Sequence, residues 1–278
     1  MTVSVNTNKS ALIALQNMNA NASRLGETQN RISTGLKVQG AKDNAAVHAI
    51  AQAQRADVSS LGAVKSGLDR ATSIADVSLA AGQSISDLMT ELRQKAVAAA
   101  DPSATAETRT AYNDEYQSLL AAVNQFANGA TFDGVNVLNG SIATALNFLA
   151  DANAAQTISI TPQNMTTAAA PGLALAGTTL TTTANATAAL TAVDAAIASV
   201  ATKLSSLGAQ AKQIDNHKVF VEKLVDALEV GVGNLVDADM AKESAKLQAL
   251  QVQQQLGAQA LSIANQGPQV ILSLFRGG

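Results

Sequence analysis

The 278-residue chain is long enough for one large domain or two modest ones, and only 14% of it is charged and 3% aromatic, with no Trp. Alanine makes up about a fifth of it, so its core is built from small and aliphatic side chains at close helix–helix approach. The absence of Cys excludes disulfides, thiolate zinc sites and cysteine nucleophiles, and a net charge of −3 argues against a nucleic-acid footprint.

The first segment carries Leu15, Met18, Ala22, Leu25, Gln29, Ile32 and Leu36 at alternating three–four spacing, a heptad seam with one Gln in it. Thr34-Gly35 breaks that helix. A second begins after Ala41 to Ala46, with Val47, Ile50, Leu61, Val64, Leu68 and Ala71 on one seam and Ile74, Val77 and Leu88 on a shifted one. Asp101-Pro102 ends it, because Pro cannot continue the hydrogen-bond ladder. A third helix is predicted from about Glu107 to Ala127, burying Tyr116, Leu119, Val123 and Phe126.

Residues 129–187 read as a small β-containing excursion. Phe132 to Leu138 alternates like a strand between Gly129, Gly134 and Gly140, and Thr157 to Thr161 is a second short strand candidate. The rest is Thr- and Ala-rich with few charges and large apolar residues, so residues 143–187 are expected to face solvent. From Leu190 the longest seam runs through Val193, Ile197, Val200, Leu204, Leu207, Ala211, Ile214, Lys218, Val221, Val225, Leu228, Val232 and Leu235. At 1.5 Å per residue that is a helix of roughly 65–70 Å with Lys218 as its one polar intruder. The fold class is therefore mainly α: a long antiparallel coiled-coil rod made from both chain ends, with a small β-hairpin excursion in the middle. Residues 1–44 with 236–278 form one discontinuous unit and 45–235 the rod.

The two ends share an unusual charge pattern. No charged residue lies between Lys9 and Arg24, and none between Lys246 and Arg276. Gln and Asn take their place, from Gln248 to Gln269, so neither end reads as a membrane span and no membrane insertion is expected. A solvated helix normally carries Lys and Glu on its wet face. One that carries amides can be surrounded by protein without burying charge, so the ends are expected to gain their order inside an assembly. Met1 to Ser10 lacks the basic-then-apolar pattern of a cleaved signal peptide, so if the protein leaves the cell the expected route is one that reads no removable leader.

Asn6-Thr7-Asn8, Arg31-Ile32-Ser33-Thr34-Gly35-Leu36-Lys37-Val38 and Ala41-Lys42-Asp43-Asn44-Ala45-Ala46 resemble the N-terminal signature of bacterial flagellins. Leu250-Gln251-Val252, Gln255-Leu256, Ala260 to Gln266, Pro268-Gln269 and Leu272-Ser273-Leu274-Phe275-Arg276 resemble the C-terminal one, and Phe132-Asp133-Gly134-Val135 resembles the family's turn after its N-terminal helices. The short, Ala- and amide-rich middle is similar to alphaproteobacterial members lacking large outer domains. The resemblance implies a subunit that polymerises with itself or paralogues into the extracellular flagellar filament, exported unfolded through the flagellar type III pathway. It also implies an export chaperone, a hook–filament junction protein and a filament cap as partners. Filament-core packing falls to Leu15, Leu25, Ile32, Leu36, Leu250, Leu256, Leu261, Ile263, Leu272, Leu274 and Phe275. A junction protein with flagellin-like ends is the alternative, and a soluble coiled-coil adaptor is a more distant one.

No enzyme chemistry stands out. Gly35 to Asp43 superficially resembles a phosphate loop, but no hydroxyl follows Lys42, and a glycine helix cap is the simpler reading. Asp237-Ala238-Asp239 reads as a helix N-cap before Met240, and His48 and His217 lack a partnered acid at a motif spacing. No catalytic residue, cofactor or metal ligand is assigned. The resemblance further aligns Glu91 to Val97 with the helix that a flagellin-sensing Toll-like receptor contacts. There Arg93 is kept, Glu91 replaces an Arg, Lys95 replaces a Leu, and Glu115 matches an acidic partner.

Overall fold

In the computed structural model, residues 7–276 are described, with side chains through residue 266. The elements are α1 (Lys9–Thr34), α2 (Ala45–Ala100), α3 (Ala106–Gly129), β1 (Leu146–Leu149), β2 (Thr157–Ile160), α4 (Thr183–Val236) and α5 (Met240–Arg276). With 56 and 54 residues, α2 and α4 are each about 80 Å long at 1.5 Å per residue. Short polar side chains start the helices. Asn8 Oδ1 accepts from Ala11 N–H at 3.0 Å, Thr105 Oγ1 from Thr108 N–H at 3.2 Å, and Asp239 Oδ1 from Ala241 and Lys242 N–H at 3.0 and 3.1 Å. Gly35 ends α1 at φ +72°, donating its N–H to Arg31 O, and α2 stops before Asp101-Pro102.

The chain divides into two compact units, residues up to Ala56 with those from Leu228 onward, and Asp57–Ala227. The division falls inside α2 and α4. The sequence places it instead at the helix breaks near 44 and 236.

In the terminal unit α1 and α5 lie antiparallel. Asn8 Nδ2 donates to Ala264 O at 2.7 Å, Asn21 Nδ2 to Leu250 O at 3.0 Å, and Arg31 pairs with Glu243 at 3.3 Å. The chain between α1 and α2 is tied to the end of α4: Lys37 and Val38 N–H both donate to Val236 O, and Ala238 N–H to Gly35 O. An apolar cluster of Val38, Ala51, Val232 and Val236, with Leu36, Val47 and Leu235 against it, closes this end.

In the body α2 and α4 run antiparallel. Lys65–Glu222 at 2.8 Å, Lys218–Asp69 at 2.5 Å and Arg93–Asp194 at 2.7 Å are ion pairs whose residue numbers have one common sum, so the register does not slip. Lys218, the intruder in the seam, is thus neutralised by Asp69, whose carboxylate raises its pKa. Leu68, Ile74, Ile85, Met89 and Leu92 of α2 are fully buried, as are Val193, Leu207 and Ile214 of α4. The α4 seam differs from the expected one at its start. Ala186, Ala189 and Ala196 hold the buried positions, and Leu190, Ile197 and Leu204 are half-buried beside them. Small residues permit close approach: a Cβ on Gly82 of α2 would sit 2.6 Å from Leu204 Cδ2. On α3 the buried set is Tyr116, Leu120, Val123 and Ala127, one residue past the expected Leu119 and Phe126, and Phe126 is exposed.

The excursion departs most from expectation. Phe132–Val135 is a tight turn, not a strand, with Asp133 at φ +49°, Gly134 at φ +75° and reciprocal hydrogen bonds between Phe132 and Val135. Buried Asn136 holds the chain just past this turn. Its Nδ2 donates to Ala127 O and Asn128 O, and its Oδ1 accepts from Leu138 and Asn139 N–H. β2 lies where the Thr157–Thr161 alternation places it, and it pairs antiparallel with β1, Leu146 opposite Ile160 and Leu149 opposite Thr157. The expectation that residues 143–187 are solvent-facing fails at Ala150, at Ile158 and Ile160 of β2, at Ala186, and most broadly over 164–180. Met165, Leu173, Leu175 and Leu180 are buried, and Lys203 Nζ binds this loop through Asn164 O and Pro171 O at 2.5 and 2.7 Å.

Candidate assembly surface

The seam between α1 and α5 is mixed, with three polar residues among small and aliphatic ones. On α1 the residues turned inward are Ala14, Met18, Asn21, Leu25, Thr28 and Ile32, and on α5 Glu243, Leu247, Leu250, Gly257, Leu261 and Ala264. On α5 the seam expected from three–four spacing, Leu250, Gln254, Gly257, Leu261 and Ala264, holds except at Gln254, which is exposed. On α1 every second position lies one residue earlier than predicted: Ala14, Asn21 and Thr28 replace Leu15, Ala22 and Gln29. Asn21, Thr28 and Glu243 are buried; among the described residues Asn21 Oδ1 and Thr28 Oγ1 have no hydrogen-bond partner, and Glu243 Oε2 has only the Lys246 ammonium at 3.8 Å. These three escaped the sequence reading because both phases satisfy a three–four spacing, and choosing the larger apolar residues selects the wrong one.

The large apolar residues left over point outward. Leu12, Ile13 and Leu15 of α1 and Val252, Leu256 and Ile263 of α5 are exposed, Ile263 at 69%. Of the residues assigned to filament-core packing, Leu25, Ile32, Leu36 and Leu261 are half-buried and Leu250 is buried, whereas Leu15, Leu256 and Ile263 are exposed in the single chain. Leu272, Leu274 and Phe275 lie outside the described side chains. An exposed apolar face beside a mixed seam is an arrangement that a second protein surface can complete.

In the body, the segment Glu91–Val97 forms one wall of a shallow groove with Asp114, Glu115, Ser118 and Leu119. Lys95 is ion-paired with Glu115 and lies 5.9 Å from the Tyr112 ring centroid, and the Glu115 bond raises its pKa. Arg93 is engaged by Asp194, and Glu91 is exposed and does not join Lys95 in an ion pair. His217 sits at the core edge, its Nε2 2.6 Å from Ala150 O. Among the described residues no group of three or more His, Asp or Glu side chains could hold a metal. One helix, α4, is long and apolar enough to cross a membrane by length and composition, and part of that apolar surface is its buried face against α2.

The model of the bacterial flagellin N-terminal helical region matches residues 5–143, and that of the C-terminal helical region matches 190–275. The chain belongs to the bacterial flagellin family. Flagellin FljJ of Caulobacter vibrioides is 49% identical, covering 100% of both chains, and the flagellin of Brucella melitensis is 42% identical, covering 99% of both. A solved structure described as a flagellar hook-associated protein, from Vibrio parahaemolyticus, shares the fold at TM-score 0.56 and 14% identity, covering 70% of this chain and 100% of that one. Membership makes the chain a structural subunit, not an enzyme, of the extracellular filament in which flagellins polymerise with themselves and with paralogues. The α1–α5 pair and its outward apolar residues lie within the two matched regions. Residues 144–189 lie outside both.

Proposed function

We propose that residues 1–44 with 236–278 form the core of the filament and that neighbouring copies cover the outward face of α1 and α5. Leu15, Leu256 and Ile263 then pack between subunits, while Leu25, Ile32, Leu36, Leu250 and Leu261 hold the pair that presents them. Leu272, Leu274 and Phe275 belong to the same interface by their place in the family's C-terminal motif. The observation that supports this reading is that Leu12, Ile13, Leu15, Val252, Leu256 and Ile263 are left exposed on the α1–α5 pair while the polar Asn21, Thr28 and Glu243 are buried within it. Residues 45–235 form the rod outside that core. Export in an unfolded state through the flagellar type III route, with a chaperone on the C-terminal segment, accords with a terminal pair of such modest internal packing. A junction protein and a cap complete the partners. Seeded growth of the purified chain, followed by electron microscopy, tests the reading; a soluble, folded chain that never extends seeds overturns it.

We also propose that the flagellin-sensing receptor engages this subunit weakly, because Lys95 is committed to Glu115 and Glu91 brings the opposite charge to a contact position. A reporter-cell response matching that of a recognised flagellin at equal dose contradicts this.

A further inference from the structure

The terminal unit holds a small polar cleft, with room for one side chain at about 260 Å³, lined by Asn17, Met18, Asn21, Arg24, Gln253 and Gly257. It is open at Gly257, where an added Cβ meets nothing within 4 Å. Three features mark it as incomplete. Arg24 makes no ion pair among the described residues, although it is the single charge on α1 between Lys9 and Glu27. Asn21 is 92% buried, spends its Nδ2 on Leu250 O, and leaves Oδ1 without a donor. Asn17 and Gln253 bring further amides to the rim.

We infer that this cleft is a docking site for a carboxamide side chain from α5 of a second copy of this chain. The inference rests on the filament-core reading and names the partner group at one of its contacts. A cleft offering both an unfilled acceptor and a cationic donor suits a group with both functions. A carboxamide has an NH₂ to donate to Asn21 Oδ1 after a small side-chain shift, and a carbonyl to accept from the Arg24 guanidinium fork. A carboxylate answers only the second need. Composition points the same way. From Leu247 to Phe275 α5 has no charged residue, and Gln251, Gln255 and Gln259 stand exposed on it. Of the acids of the terminal unit, Glu27 lies one turn past Arg24 but is taken by Arg31, Glu243 is paired with Arg31 and Lys246, and Asp43, Glu229, Asp237 and Asp239 lie outside α1 and α5. When neighbouring terminal helices meet at the cleft, amides are what they have to offer.

The chain has no native Cys, so the test is clean. Arg24→Cys subunits are mixed with subunits carrying Gln251→Cys, Gln255→Cys or Gln259→Cys, grown from seeds and oxidised. In parallel, seeded growth of Arg24→Met is compared with that of the parent chain. The inference expects a mixed disulfide dimer for at least one Gln position in polymer and none in monomer. It also expects the critical concentration of Arg24→Met to rise by about tenfold or more, with an unchanged monomer melt. Growth of Arg24→Met within about twofold of the parent overturns it, as does the absence of every mixed dimer in normal polymer. Cross-linking to Glu229→Cys or Asp237→Cys instead identifies a carboxylate and also overturns it. Failure of the parent chain to polymerise is a separate result, which removes the filament-core reading and this inference together.

Discussion

In the body, α2 and α4 meet through Leu68, Ile74, Val193 and Leu207, all fully buried; in the terminal unit, α1 and α5 meet through Asn21, Thr28, Leu250 and Glu243. The charges are divided as unevenly. By sequence the terminal unit has nine basic and six acidic residues, and the body nine basic and fifteen acidic. The body is closed by its own side chains and keeps charge for its wet surface, where the α2–α4 ion pairs also fix register. In the terminal pair, the polar Asn21, Thr28 and Glu243 are buried among smaller and aliphatic residues, while Leu12, Ile13, Leu15, Val252, Leu256 and Ile263 are left exposed. On the proposed reading such a helix pair is completed by neighbouring copies, and the chain belongs to a family that polymerises.

The largest test of this contrast is a charge placed on the outward face. Ile263→Asp changes a 69% exposed side chain, so the monomer melt stays within experimental error. In the filament the same Asp is a buried, unpaired charge costing several kcal/mol, which raises the critical concentration by more than about a hundredfold. Sedimentable polymer from Ile263→Asp at parental concentration removes the distinction between the two faces.

A comparable change within the body acts on the monomer instead. Asn136→Leu leaves Ala127 O and the Leu138 N–H without their partner at a 4% exposed position, a loss of about 2–3 kcal/mol. Urea unfolding shows it, and a midpoint equal to the parent's counts against the network.

Insertions separate the two parts of the excursion. A short hydrophilic tag at Asn153, in the exposed β1–β2 connection, leaves both the melt and filament growth intact. The same tag at Pro171 breaks the Lys203 clamp and displaces Leu173 and Leu175 from the core, and lowers the melting midpoint measurably. Equal melts for the two insertions sink the claim that residues 164–180 are structural.

The mixed seam gives a smaller effect of opposite sign. Thr28→Val replaces a buried hydroxyl that lacks a partner by an isosteric methyl, and stabilises the terminal pair by about 1 kcal/mol. Hydrogen exchange of α1 amides reports it as slowed opening. Unchanged or faster exchange means that the hydroxyl finds a partner.

The ion-pair ladder gives the smallest effect. Lys65 holds the exposed Glu222 carboxylate below its ordinary pKa. Its contribution is therefore present at neutral pH and fades as pH falls through the lowered value. Lys65→Glu lowers the melting midpoint slightly at pH 7, adding Glu222→Lys restores it, and the difference shrinks as pH falls through the lowered Glu222 pKa. A difference that persists in acid points to packing rather than charge.

Much was legible in one dimension. The helix stops at Gly35 and Asp101-Pro102, the N-cap at Asp239, the strand from Thr157 and the α5 seam through Leu250, Gly257, Leu261 and Ala264, Gln254 excepted, come from local chemistry: a missing N–H, a glycine at positive φ, a carboxylate beside free amides, a repeat of three and four. The uncharged ends and the terminal motifs were visible there too, and with them the family. What needed the tertiary structure was the choice between equivalent phases. Ala14, Asn21 and Thr28 lie one residue from Leu15, Ala22 and Gln29, and periodicity alone cannot tell which side turns inward when large apolar residues also stand on the outer side. The 132–138 segment failed for a related reason. Its alternation comes from a turn whose next side chain, Asn136, ties it to the end of α3, a contact that exists only once the chain has folded back.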